Sequence, residues 1–98
     1  MLHMVVIDHG PDTCPAAHDD LAEMAKSGLG SLSAKAEELS ATIKGSWADM
    51  PAHALWVLVD APNAHVVSRL MAEQKIMNWN TVVVHPIITM DEALGKVG

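Results

Sequence analysis

From His53 to Val59 the chain reads HALWVLV, seven residues with no polar side chain after the first. A run this short and this apolar, followed at once by Asp60-Ala61-Pro62-Asn63, predicts a central strand buried on both faces. The period then changes. Val66, Val67, Leu70 and Met71 recur at helical spacing and predict a helix from about Asn63 to Lys75. Asp60 or Asn63 can cap it, with Pro62 inside the junction. His65, Arg69 and Glu73 share another face of that helix, four residues apart. Asn80 to Ile88, NTVVVHPII, is strand again, and Pro86 assigns it to a sheet edge, where a missing N–H is tolerated. Thr89 caps a short last helix with Asp91 and Glu92 in its first turn. Strand, tight junction, amphipathic helix, strand is a frame that few folds accommodate.

The first half echoes this frame. Leu2 to Asp8 is a β-rich segment stopped by Gly10-Pro11. Residues 9–15 form a loop, and Pro15 suits the first turn of a helix, with Thr13 or Cys14 near the cap. Leu21, Met24, Ala25, Leu32, Ala36 and Leu39 keep a helical spacing. Gly28 and Gly30 interrupt it, each at a cost of about 1 kcal/mol. Two helical pieces, roughly 16–27 and 31–40, are expected, with one long helix as the alternative. Ala41 to Ala48 reads as a strand, and Asp49-Met50-Pro51-Ala52 as the hairpin turn after it. The order is β-α-β-β-α-β. It predicts one ferredoxin-like α+β domain over residues 1–98, a four-stranded antiparallel sheet with helices on one face.

Composition narrows the function classes. Half of the 98 residues are hydrophobic, which pairing of two copies through an apolar sheet face would explain, as would a Val- and Ala-rich monomer core. Twelve acids against six bases leave a net charge of -6, which repels phosphate backbones and argues against a nucleic-acid partner. The lone Cys14 excludes an internal disulfide and a multi-cysteine zinc site. The apolar runs are too short for a signal peptide or a membrane span, so a cytoplasmic protein without a membrane partner is expected. Phe and Tyr are absent; three Trp and seven Met supply the bulk, and Met adapts to irregular space.

The topology sorts the polar residues into two ends of one sheet. The end of the first strand, the loop after it, the middle hairpin and the start of the fourth strand share one rim. That rim gathers His9, Asp12, Cys14, His18, Asp49, His53 and Trp79. His3, Asp60, Asn63 and His65 fall at the other end, with His85 on the same half of its strand. His9-x-x-Asp12-x-Cys14-x-x-x-His18 carries the densest chemistry. Its side chains are first-row metal ligands, three of which His53 can complete to a set of four, or His9 or His53 is a general base. The plain alternative is a polar loop with Cys14 packed as a small hydrophobe. A thiol near a helix N-terminus is also a candidate nucleophile, with His9 or His53 as its base. His85 lies in an apolar strand and is expected at least partly buried, with His3 as its neighbour across the first and fourth strands. Trp47, Trp56 and Trp79 are anchors of the core or of a dimer interface, or a wall for a flat ligand.

The segments GSWAD (45–49), HALWVLVDAPNAHVV (53–67) and WNTVVVHPIITMDEA (79–93) resemble the small dimeric α+β barrel proteins, and among them the DUF3303 group, a family of unknown function. The resemblance spans roughly residues 43–93. Muconolactone isomerases are similar in size, element order and final strand. The resemblance implies a fold, a dimer habit and a ligand hollow between sheet and helices; it implies no catalytic residue. Three functions follow as expectations. One is a homodimer or higher oligomer that binds a small apolar or aromatic molecule, with Asp12, Cys14, His18, Trp56, Trp79 and His85 as contacts. The second is an enzyme resembling lactone isomerases or cofactor-free monooxygenases, with His9 and His53 as catalytic groups. The third is a metal-binding or redox-sensing protein using the 9–18 loop. The residues name no cofactor.

Overall fold

The structure is a computed structural model and describes residues 1–97. Strands β1 (Leu2–Asp8), β2 (Thr42–Asp49), β3 (Ala54–Asp60) and β4 (Thr81–Ile87) form one open sheet in the order β2-β3-β1-β4. Every neighbouring pair is antiparallel. Helices α1 (Asp19–Gly30) and α2 (Leu32–Glu38) link β1 to β2; α3 (Ala64–Glu73) links β3 to β4, and α4 (Met90–Gly95) follows. This is the ferredoxin-like α+β arrangement that the element order predicts. β4, which carries Pro86, is at the edge as expected, and the turn between β2 and β3 falls at residues 50–53.

The sheet has two unlike faces because side chains alternate along a strand. His3, Val5 and Ile7 of β1 are fully buried, as is Val59 of β3, with Val57 close to it. Val5 lies opposite both Val57 and Val84, so one face is continuous across three strands. Leu32 and Ala36 of α2, Val67, Leu70 and Met71 of α3, and Ile76 close over it. Burying each Val, Leu, Ile or Met side chain among these stabilises the fold by about 1.5–3 kcal/mol. The opposite face carries Met4, Val6, Trp56 and Leu58, only half-covered, with Trp47 and Val83 exposed. β3 is therefore central but not buried on both faces. Its uninterrupted apolar run serves a helix-covered side and an uncovered one.

The helix ends follow local chemistry. The Asn63 side chain accepts the Val66 N–H, and the Thr89 hydroxyl oxygen accepts the Glu92 N–H, as expected of caps. α1 starts later than Pro15 suggests. The Cys14 carbonyl is taken by the Ala17 N–H, which closes a separate turn, and His18 is the residue before the helix. Gly28 and Gly30 both lie inside α1, and the break falls at Ser31, between α1 and α2. Gly28 is buried against the end of α3, where a Cβ would collide with the Gln74 carbonyl oxygen. The Gln74 amide nitrogen donates across this contact to the Gly28 carbonyl at 3.0 Å and to Ser31 Oγ at 2.5 Å.

Two expectations about the end of the sheet that holds His3 and His85 are corrected. His85 is exposed, because it alternates onto the uncovered face. His3 pairs in register with Pro86 rather than His85, and the two histidines lie on opposite faces. Among the described residues no helix is long and apolar enough to cross a membrane.

Candidate functional site

The upper end of the sheet holds a cavity of about 350 Å³. Ala25 and Leu29 of α1 form one wall; Leu55 and Ala54 at the start of β3 form another. Met50 and Asp49 come from the β2–β3 turn, and Trp79 from the segment before β4. His9, Cys14 and His53 line the same space. It is an apolar hollow with a small group of chemically active side chains, at the small end of the size range of ligand sites.

Backbone hydrogen bonds place these side chains. A 3-10 turn at Pro11–Thr13 reverses the chain after β1, and the Cys14 N–H donates to the Pro11 carbonyl. Across the rim, the His9 N–H donates to the His53 carbonyl at 3.1 Å, which ties the end of β1 to the start of β3. His53 adopts a left-handed backbone with φ of 54°, uncommon for a residue with a Cβ. That conformation closes the turn, whose Ala52 N–H is taken by Asp49 Oδ1 at 3.1 Å. The His9 and His53 rings meet edge to face with centroids 5.2 Å apart, and His9 lies equally close to the Trp79 indole.

The His9 tautomer follows from its neighbour. The Asn80 amide nitrogen donates to the Ile76 carbonyl at 3.0 Å, which turns Asn80 Oδ1 toward His9 Nδ1, also at 3.0 Å. An amide oxygen accepts only, so Nδ1 carries the proton and donates. In the neutral ring His9 Nε2 then carries the lone pair, and among the described residues it is buried and without a partner. Trp79 is 4% exposed, and its indole N–H is likewise buried and unpartnered. An unmet buried polar group costs about 1–3 kcal/mol, a cost that a partner brought to either atom would relieve.

One potential ligand atom each from His9, Cys14 and His53 lies within 4.8 Å of the others. The expected rim residues thus divide. His9, Cys14, Asp49, His53 and Trp79 come together at the cavity. Asp12, inside the 3-10 turn, and His18, at the head of α1, are exposed and lie outside the cavity lining. Trp56 and His85 are on the uncovered sheet face, away from the cavity. Sequence reasoning missed Asn80. Its only signal is position: it follows Trp79 at the start of the strand that topology sets beside the first loop. Leu29 and Met50 were missed as lining residues because each reads as an ordinary apolar side chain.

No family model matches the chain, and no curated protein does either. Among solved structures the chain is similar to protein SCO4226 of Streptomyces coelicolor A3(2), known from a crystal structure. The TM-score is 0.49 at 16% identity, covering 89% of this chain and 99% of that one.

Proposed function

We propose that this protein is a small-molecule-binding homodimer of the dimeric α+β barrel type, similar to the DUF3303 group, and that its ligand occupies the cavity under α1. The observation that carries the reading is an apolar cavity whose wall includes Trp79, a buried indole with no acceptor for its N–H. A small aromatic or lactone-like molecule offers an apolar body for Leu29, Leu55 and Met50 and a carbonyl for the indole. The second copy covers the open sheet face, where Trp47, Trp56, Leu58 and Val83 otherwise meet water.

The three tryptophans make a clean test. Trp47 and Trp56 are on the uncovered face, so the Trp47→Phe/Trp56→Phe variant leaves Trp79 as sole reporter inside the cavity. A panel of aromatic and lactone compounds should include members that change its emission saturably, and Ala25→Leu, which fills the cavity, should abolish that change. A folded reporter variant that responds to no member overturns the reading.

A further inference from the structure

We propose that His9, Cys14 and His53 form a site for a thiophilic first-row transition ion, Zn²⁺ in the first instance, at the mouth of the cavity. One thiolate and two imidazoles are a ligand set that zinc takes, with a fourth position left for water or a bound molecule. Around a tetrahedral zinc, such ligand atoms stand about 3.3–3.6 Å apart, from bond lengths of about 2.3 Å to sulfur and 2.0–2.1 Å to nitrogen. The three donors here are within 4.8 Å of one another, so binding would draw them together by roughly 1 Å.

The independent sign is the state of His9. A metal-bound histidine nearly always donates its other ring N–H to an oxygen acceptor, which fixes the tautomer and orients the ring. Asn80 does this for His9 Nδ1, and its own amide is held by the Ile76 carbonyl. The remaining nitrogen, Nε2, is buried and has no hydrogen-bond partner. A half-buried imidazole oriented by a held amide, with Nε2 unpartnered and a thiol and a second imidazole in the same group of donors, is the arrangement of a ligand more than of a core histidine. His53 is held by its own backbone: its carbonyl takes the His9 N–H, and its left-handed φ commits the chain to that geometry. Asp12 and His18, which share the loop, lie outside this group of three.

Binding is proton-balanced. The Cys14 thiol gives its proton to solvent as sulfur bonds the ion, the two imidazoles bind neutral, and one proton appears per ion bound. The site stands whether or not an organic ligand fills the cavity, and the ligand titration on metal-free protein tests that other reading separately.

The test uses untagged, reduced, metal-free protein titrated with Co²⁺ and then Zn²⁺. One Co²⁺ per chain should bind with the intense visible bands of a tetrahedral ion and a near-ultraviolet thiolate charge-transfer band, both erased by one equivalent of Zn²⁺. Zn²⁺ should also protect Cys14 from maleimide alkylation, a readout that needs no variant. Cys14→Ser should remove the charge-transfer band, and Asn80→Ala should weaken binding by about 10–100-fold by releasing the His9 ring. His18→Ala should change nothing. Substoichiometric binding, a weak octahedral cobalt spectrum, unprotected Cys14, or loss of the site in His18→Ala overturns the proposal.

Discussion

At the scale of residues, two ends of one strand show opposite ways of placing a histidine. His9 has a partner that sets its tautomer, whereas His3 is fully buried with both ring nitrogens unpartnered. Its register neighbour Pro86 has no N–H to offer, and Val59 on the other side has only an apolar side chain. His3→Leu should therefore stabilise the protein by about 1 kcal/mol in urea unfolding, since an unmet polar group is replaced by an apolar one. A loss of stability would mean that the ring makes a contact essential to the fold. Next to it, the Met1 ammonium donates to Asp60 Oδ1 at 2.7 Å, and this hydrogen bond, with the attraction of the charge itself, holds the Asp60 carboxyl below its usual 3.8. A lowered carboxyl pKa adds stability above about pH 4 that is lost as pH falls through the folded value. Wild type and Asp60→Asn should differ slightly near neutral pH and converge below pH 3.8, the ordinary carboxyl value; a gap that widens on acidification would contradict the pairing. The rim grouping of His9, Cys14 and His53 was legible from topology alone. The Asn80 contact was not, because no periodicity marks one amide that turns toward a ring 71 residues away in sequence.

At the scale of elements, α1 shows how one residue type acquires opposite roles two positions apart. The spacing of Leu21, Met24 and Ala25 announced the helix, and the two glycines suggested its interruption. Yet the helix runs through both to Gly30, because tertiary contact outweighs a propensity cost of about 1 kcal/mol each. Gly28 permits α1 to touch the end of α3, where Gln74 bridges the two helices. Gly30 has nothing within 4 Å of where a Cβ would stand. Gly30→Ala should therefore stabilise the protein by about 0.5–1 kcal/mol through the helix backbone alone. Gly28→Ala should destabilise it by about 1–3 kcal/mol, because the added methyl meets backbone rather than a movable side chain. Urea midpoints of the two variants check the inversion of sign; equal shifts would show that α1 and α3 are not in close contact. Sequence spacing could not separate the two positions, since the partner of Gly28 lies 46 residues away.

At the scale of the whole molecule, the proposed second copy has a surface to cover. A compact chain of this mass exposes about 5,400 Å² and one of this length has a radius of gyration of about 13 Å. This chain exposes 5997 Å² and has a radius of gyration of 14.4 Å. One open, apolar face contributes to that exposed area. The sheet face away from the helices is apolar at its centre, through Met4, Val6, Trp56 and Leu58, and acidic at its ends, through Asp8 and Asp60. Trp47 is 55% exposed and lies in register with Trp56, while α4 and the residues after it hold Met90, Leu94 and Val97 in the open. An apolar centre with a charged rim is the anatomy of a protein interface. No alternation in the sequence marks this face: Met4, Val6, Trp56, Leu58 and Val83 are as apolar as the residues of the covered side, which is why His85 was expected buried. Sedimentation equilibrium should give twice the chain mass of 10.5 kDa for the wild type. Trp47→Lys and Val83→Lys place a charge on that face at positions already open to solvent, so each monomer should stay folded while the dimer dissociates. Because Trp47 and Val83 are outside the cavity lining, the monomeric variants should still bind the cavity's ligand. A wild type that is monomeric, or variants that remain dimeric, would move the interface elsewhere.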